Sequence, residues 1–349
     1  MNTQDHRTKL IAKARSAAER RSLTASAPSV AYHATPFDQL AQYRNLEKMR
    51  KASSIMGIDN PFFRSHAGRA SNKTVIAGRE VINFASYDYV GLNGDPRPVA
   101  KAHAALDIYG VSPSASRLVA GERPVHAELE AALARHYGTS AAIAFVSGHA
   151  TNVATIGELM GEGDLILHDA YIHNSVQVGA RLSGAARRSF AHNDMAALEA
   201  LLEENRFRAR NALIVVEGLY SMDGDTPPLA ELVALKRKYG CWLMVDEAHA
   251  LGVVGARGRG SFEAAGVSPD DVDIWMGTLS KTLASAGGYV CGSTALIDIL
   301  KSNASGFVYS VGLAPALAAS ATEALAILEA EPERVSRLQA NAKLFLRLA

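Results

Sequence analysis

Apolar runs alternate with helical patterns over residues 141–281, and this alternation constrains the fold more than any other feature of the sequence. Runs such as AAIAF (141–145) and ALIVV (212–216) are typical of strands that are buried on both faces. Segments such as MAALEALLEE (195–204) show helical spacing instead. Strands that alternate with helices favour a mostly parallel sheet covered by helices on both faces. We therefore predict an α/β fold of this kind.

Two of the apolar runs end in clusters of polar side chains. WLMVDEAH (242–249) ends with Asp246 and His249, and DIWMGTLSK (273–281) ends with Thr278, Ser280 and Lys281. Ligands of open α/β sheets bind in the crevice outside the carboxyl ends of the strands. We therefore expect these five side chains to meet in one site.

This set of side chains suits pyridoxal 5′-phosphate (PLP). A partly buried lysine such as Lys281 can hold the cofactor aldehyde as a Schiff base, and Asp246 can pair with the pyridine nitrogen. His249 can hydrogen-bond the phenolic oxygen, and Thr278 and Ser280 offer hydroxyls to the phosphate. Each residue alone has a plainer explanation, because most lysines lie on the surface and a strand-end aspartate often caps a helix. The ordered combination carries the prediction.

A strand-to-helix junction at Ser147-Gly148-His149 adds a second part of the site. A glycine there lets the backbone approach a phosphate, and the N-terminus of the following helix supplies free N–H groups. Many such turns bind nothing, so the junction by itself is weak. Together with the first cluster it predicts that Gly148 and His149 contact the cofactor.

Two long motifs, DEAHALGVVGARGRG (246–260) and GTLSKTLASAGGY (277–289), resemble the α-oxoamine synthase family of fold-type I PLP enzymes. This family includes 5-aminolevulinate synthase, 8-amino-7-oxononanoate synthase, 2-amino-3-ketobutyrate CoA ligase and serine palmitoyltransferase. The resemblance extends from NFASYDYVGL (83–92) to VYSVGLAP (308–315). It implies an aspartate-aminotransferase-like fold, which agrees with the alternating strands and helices.

The resemblance also implies a reaction. Members of the family are transferases that condense an amino acid with an acyl thioester, lose carbon dioxide and release an α-aminoketone. The thioester would be carried by CoA or by an acyl carrier protein. Another PLP reaction on the same scaffold, such as transamination or retro-aldol cleavage, stays open. A non-catalytic subunit is the third alternative, although Lys281 argues against it.

Further site residues come from the resemblance alone. In D-x-x-x-H-x-S of the family the histidine stacks on the cofactor ring, which corresponds to His173 here; the plainer alternative is a helix cap. The serine of SMDGD, Ser221, would approach the phenolic oxygen. Ser310 would reach the cofactor phosphate of a partner subunit, which implies a homodimer. With Lys281 and Asp246, His173 completes the predicted catalytic set.

Other positions depart from the family or are interpreted as structural. Asp88 stands where the family usually has asparagine, which affects a loop near the substrate. His126 at a helix start, and the signature His192-Asn193-Asp194, are predicted to be structural, with Asp194 capping a helix.

Composition excludes several function classes. The net charge of +1 argues against a nucleic-acid-binding surface. Two cysteines, Cys241 and Cys291, do not make a disulfide framework, so we expect a reducing compartment and a cytoplasmic protein. We expect neither a membrane span nor a secretory signal peptide, because no apolar run of the given sequence reaches membrane-spanning length.

We predict three regions along the chain. Residues 1–58 form an N-terminal arm and helix, 59–315 a large PLP-binding domain, and 316–349 the start of a small C-terminal domain that family members continue. The helical pattern of 37–57 corresponds to a part that helps to build the dimer in the family. Residues 1–30 are basic and could be a transit peptide, a dock for an acidic carrier or, most simply, a mobile arm.

Overall fold

The structure is a computed structural model that describes residues 34–349 of the chain, so the predicted basic arm at 1–30 lies outside the described residues. The described residues divide into two compact units after Ser65. The first unit contains a short 3-10 turn, Phe37–Gln39, and helix α1, Ala41–Ile55. This confirms the predicted helix. None of the residues of α1 is buried, and its apolar side chains Tyr43, Leu46 and Met49 are exposed.

The second unit begins with a two-stranded antiparallel hairpin. Its strands are β1, Lys73–Ile76, and β2, Arg79–Ile82. The turn residues Ala77 and Gly78 both have positive φ angles, 50° and 78°. A two-residue turn of this kind matches the twist of a hairpin.

A seven-stranded sheet forms the centre of the second unit. Its strands are β3 Ala141–Phe145, β4 Leu165–Asp169, β5 Ala186–Phe190, β6 Ala212–Glu217, β7 Trp242–Asp246, β8 Ile274–Thr278 and β9 Gly288–Gly292. Their order is β3-β9-β8-β7-β6-β4-β5, and only β9 runs antiparallel to its neighbours. The predicted mostly parallel sheet is confirmed.

Helices cover the sheet. They are α2 Pro96–Tyr109, α3 Pro124–Tyr137, α4 Gly148–Leu159, α5 Asn174–Leu182, α6 Met195–Asn205, α7 Leu229–Tyr239, α8 Ser261–Ala265, α9 Thr294–Asn303, α10 Ser305–Val308, α11 Pro315–Ala330 and α12 Glu333–Leu348. The Asp194 carboxylate accepts from the N–H of Ala197 at 2.9 Å, which confirms the predicted cap of α6. Helix α11 packs on α2 and α3, so its residues belong to the same compact unit as the sheet.

Two apolar layers enclose the sheet because successive strand residues point to opposite faces. In β7, Leu243 and Val245 belong to one core cluster and Met244 to the other. All six residues of β6 are buried. Strands with two covered faces need continuous apolar runs, which is why the sequence shows runs rather than alternation here. None of the helices in residues 34–349 is both long and apolar enough to cross a membrane.

A buried ion pair ties a loop to the sheet. Arg117 is 6% exposed, and its guanidinium donates to Glu122 at 2.6 Å and to Glu130 at 2.5 Å. Glu130, on α3, also accepts from the N–H of Ala144 on β3 at 2.9 Å. Removing one partner of a buried pair leaves an uncompensated charge away from water.

We expect Arg117→Leu to destabilise the protein by about 3 kcal/mol, because the buried Oε1 of Glu130 would lose its charged partner and only Lys301, 2.7 Å from Oε2, would remain as a cation. Equilibrium urea unfolding measures this loss. Lys73→Met is the matched control: Lys73 pairs with Glu80 at 2.8 Å, but both side chains are more than half exposed. Lys73→Met should lower the free energy of unfolding by less than about 1 kcal/mol. Equal losses for the two variants would contradict the structural role of Arg117.

Candidate active site

The carboxyl ends of β6, β7 and β8 open into one cavity of about 200 Å³. The last residues of these strands are Glu217, Asp246 and Thr278, and all three line the cavity. Eight of the ten predicted site residues lie around it: Gly148, His149, His173, Asp246, His249, Thr278, Ser280 and Lys281. The parallel register brings these positions together although they are far apart in the sequence.

Asp246 is a buried carboxylate with fixed orientation. It is 3% exposed, and its Oδ2 accepts from the Asn152 amide at 2.8 Å. Its Oδ1 accepts from the backbone N–H of Ala248 at 3.0 Å. Asn152 also donates to Ser175 Oγ at 2.9 Å, so the amide is held from both sides. Hydrogen bonds of this kind favour the charged form of a carboxyl group.

Lys281 contacts a histidine that is itself oriented by a tyrosine. Lys281 Nζ lies 2.8 Å from His249 Nε2, and His249 Nδ1 lies 2.8 Å from the Tyr89 hydroxyl. Burial lowers the pKa of Lys281, although the charges of Asp246 and Glu217 oppose this. Burial, with the nearby Lys281 and His173, lowers the pKa of His249 to about 4. His249 is therefore neutral at neutral pH, and Lys281 releases its proton more readily than a surface lysine.

His173 has two roles in the geometry. Its Nδ1 accepts from the N–H of Ser175 at 3.3 Å and lies 2.7 Å from Ser175 Oγ, so the ring caps α5. The same ring also lines the cavity, 6.4 Å from the His149 ring. Burial lowers the pKa of His173. The helix cap and a position beside the cofactor are thus compatible; stacking on the cofactor ring stays a prediction.

A close approach of two chain segments forms the proposed phosphate cradle. Gly148 is the first residue of α4, and a Cβ atom there would lie only 2.9 Å from Thr278 Oγ1. Any side chain at this position would fill the space in front of the helix N-terminus. Thr278 Oγ1 donates to the carbonyl of Gly287 at 2.8 Å, and Ser280 Oγ lies 3.1 Å from Thr278 Oγ1. The helix N-terminus and the two hydroxyls therefore converge.

Two predicted residues do not line the cavity. Ser221 is exposed on the loop after β6, where its backbone lies beside the Glu217 carboxyl group. Ser310 follows the short helix α10, and its hydroxyl donates to the carbonyl of Val311 at 3.3 Å. The role predicted for Ser310 concerns a partner subunit. Both assignments stay predictions.

The residues predicted to be structural lie outside the cavity. His126 is fully buried; its Nδ1 accepts from the N–H of Arg123, and its Nε2 donates to the carbonyl of Leu313 at 2.7 Å. His192 links two loops: Nδ1 lies 2.8 Å from the Asp169 carboxylate and Nε2 lies 2.9 Å from that of Asp225. Both histidines hold chain segments together, as predicted.

The sequence placed Glu217, with Ser221, in the region of the site without giving it a role, and it assigned no role to Asn152 or Tyr89. Asn152 orients Asp246, Tyr89 contacts His249, and Glu217 lines the cavity. A signal existed for Glu217, because it ends an apolar run in the same way as Asp246. No local pattern identifies Asn152, since an asparagine within a helix has no preferred partner until the fold supplies one.

The two contacts of His192 predict a pH dependence of stability. Burial lowers its pKa, but hydrogen bonds to Asp169 and Asp225 outweigh this and raise it above 6.5. The stabilisation is therefore complete below pH 6.5 and is lost as pH rises through the raised value. We expect His192→Gln to be less stable than wild type at pH 6 and the difference to shrink towards about pH 9.

Urea unfolding across this pH range measures the difference. His103→Gln is the control, because it removes an exposed imidazole from the surface of α2. A constant or growing deficit of His192→Gln with rising pH would contradict the charged link.

Comparisons with known proteins agree with this geometry. The family model described as aminotransferase class I and II matches residues 79–348. The 8-amino-7-oxononanoate synthase of Methylobacterium sp. (strain 4-46) is 48% identical over 302 residues, which are 84% of this chain and 76% of the relative.

Solved structures give the same result. Serine palmitoyltransferase from Sphingomonas wittichii superimposes with a TM-score of 0.83 at 34% identity, over 87% of this chain and 76% of that chain. A high-resolution structure of SPT with the PLP internal aldimine has a TM-score of 0.83 at 33% identity, over 87% and 76%. The resemblance, the fold class and the enzyme class predicted from the sequence are confirmed. The chain therefore belongs to the aminotransferase class I and II family and, within it, to the PLP-dependent α-oxoamine synthases.

Proposed function

We propose that this protein condenses an amino acid with an acyl thioester, with loss of carbon dioxide, and releases an α-aminoketone. The observation that carries the proposal is the cavity that Lys281, Asp246 and His173 share. An amine with a lowered pKa, an oriented carboxylate and an imidazole in one cavity are the groups that this chemistry requires.

The residues present fit PLP. Gly148 leaves room at the N-terminus of α4, where a Cβ would meet Thr278, and free N–H groups there suit a phosphate. Asp246 would face the ring nitrogen, and His173 would cover one side of the ring. Thr278 and Ser280 would contact the phosphate, and His249 the phenolic oxygen. When bound, PLP supplies an electron-withdrawing ring that stabilises negative charge at the α-carbon of the amino acid.

Each side chain then has a definite task. Lys281 Nζ would hold the cofactor, and its free amine could take the α-proton of the amino acid. Asp246 would pair with the ring nitrogen, and Asn152 and Ala248 orient its carboxylate for this contact. His173 is neutral at neutral pH since burial lowers its pKa, so it can accept or return a proton.

The relatives suggest a substrate pair. The name 8-amino-7-oxononanoate places an amine and a ketone on neighbouring carbons, with one methyl group beyond the amine and a carboxylate at the far end. A decarboxylative condensation gives that product from alanine and an acyl thioester that ends in a carboxylate. We propose this pair as the first to test, with the thioester on CoA or on an acyl carrier protein.

We also propose a homodimer in a reducing compartment such as the cytoplasm. The exposed apolar side chains of α1 and the surface position of Ser310 support the dimer. Cys241 and Cys291 are free and buried, which supports the compartment. In the dimer, Ser310 would contribute to the cofactor site of the partner subunit.

The assignment of Lys281 has a direct test. After incubation with PLP and reduction with borohydride, mass spectrometry should find the cofactor on the peptide that contains Lys281. Lys281→Ala should lose this adduct, whereas Lys238→Ala should keep it, because Lys238 lies on the exposed face of α7 and pairs with Glu199. An adduct that persists in Lys281→Ala would refute the assignment.

The reaction class is tested by its products. With carboxyl-labelled alanine, release of labelled carbon dioxide should require the acyl thioester, and an α-aminoketone should appear in equal amount. Aminotransferase activity would instead give a keto acid, with an amino-group acceptor and without a thioester. Keto-acid formation that does not depend on thioester would contradict the proposed reaction.

A further inference from the structure

Glu217 is a buried acid that the proposed reaction does not use. It is the last residue of β6, it is 3% exposed, and it lines the cavity that contains Lys281. Its Oε1 atom has no hydrogen-bond partner in the described part of the chain. Buried polar atoms are nearly always paired, so an unpaired one beside a cavity points to a group that enters the cavity or to a proton on the acid.

Glu217 and Asp246 are neighbours at the edge of the sheet. They are register partners on the parallel strands β6 and β7, and the N–H of Gly218 donates to the Asp246 carbonyl at 2.8 Å. Side chains at paired positions of adjacent strands leave the sheet on the same side. Two carboxyl groups therefore emerge side by side in a region with little water.

Two carboxylates so close together do not both ionise easily. Asp246 accepts hydrogen bonds from Asn152 and Ala248, which favour its ionised form. Glu217 has no comparable support on Oε1. The negative charge of the pair thus belongs on Asp246, and a proton belongs on Glu217.

We propose that Glu217 is a second carboxyl group of this active site, held uncharged beside the ionised Asp246, and that it directs an O–H donor into the cofactor cavity. The proposal rests on the proposed function, because the cavity is taken to hold PLP. Glu217 acts as a positioning residue: it leaves Asp246 as the one carboxylate charge near the ring nitrogen.

The charges around Glu217 agree with this assignment. Burial, and then the charge of Asp246, raise the pKa of Glu217 to about 8. The backbone groups of His173 and Ser221 and the charge of Lys281 act in the opposite direction and do not offset the rise. His249 also faces the cavity, but it is neutral at neutral pH. Above pH 8 a second negative charge would appear beside Asp246.

That second charge has a consequence for cofactor binding. PLP carries a phosphate anion and displaces water from the cavity, so its binding disfavours an ionised Glu217. By linkage, the affinity for PLP should fall above pH 8, by up to about tenfold per pH unit for one coupled proton.

Infrared difference spectroscopy tests the protonation state directly. A protonated carboxyl group gives a carbonyl stretch that disappears on ionisation. We expect one such band to titrate near pH 8 and to be absent from Glu217→Gln. Glu247 is a second buried acid, which accepts from the N–H of Ser261 at 3.0 Å and whose pKa burial raises to about 7. Glu247→Gln should remove its own band and leave that of Glu217.

The cofactor measurement tests the functional part. PLP affinity is measured by absorbance titration from pH 7 to about pH 9.5 for wild type, Glu217→Gln and Glu247→Gln. We expect the fall above pH 8 in wild type and in Glu247→Gln, since Glu247 does not line the cavity. In Glu217→Gln, the affinity for PLP should not show this fall above pH 8. The titrations of Lys281 and of free PLP affect the affinity of all three proteins. The ratio of the wild-type affinity to that of Glu217→Gln at each pH therefore isolates the contribution of Glu217.

The results that overturn the proposal differ from those that overturn the proposed function. Any one of three results would refute the neutral Glu217: no acid band that titrates near pH 8, persistence of that band in Glu217→Gln, or parallel affinity profiles for wild type and Glu217→Gln. Failure of wild type to bind PLP would refute the proposed function, and the infrared result would still decide the protonation state. Glu217→Met replaces Glu217→Gln in both measurements if the latter does not fold.

Discussion

The carboxylate of Asp246 is the interaction on which the site depends. A charged group at the end of a fully buried strand is stable only if its hydrogen bonds are satisfied. Asn152 and the backbone of Ala248 satisfy them, and Asn152 is held in turn by Ser175. Asn152 on helix α4 therefore links strand β7, through Asp246, to the start of α5, through Ser175. These contacts fix the position of the Asp246 carboxylate in the cavity.

Burial around this carboxylate changes the protonation of its neighbours in one direction. Lys281, His173 and His249 have lowered pKa values, and Glu217 has a raised one, so the uncharged form of each is more favoured than it is for the same group in water. Groups with pKa values shifted in this way can take part in proton transfer near neutral pH. The same burial that makes the site costly for folding prepares these groups for chemistry.

Much of the fold follows from local patterns. Continuous apolar runs identified the buried strands, and Asp194 marked a helix start that the structure contains. Eight site residues were predicted because they follow strand ends or belong to long motifs. Ser221 does not line the cavity, and it lies on an exposed loop whose path no periodicity describes. His173 illustrates the overlap of two roles: a helix cap and a position at the cavity come from one ring.

The sequence by itself determined the mostly parallel sheet and the residues that strand ends deliver to one edge, because periodicity and turn residues act over a few positions. Only the tertiary structure decided which side chains are partners. The contact of Asn152 with Asp246, and that of Tyr89 with His249, join residues separated by 94 and 160 positions. The pairing of Glu217 with Asp246 depends on the register of two strands. Such contacts follow from packing and strand order, which no local pattern of residues encodes.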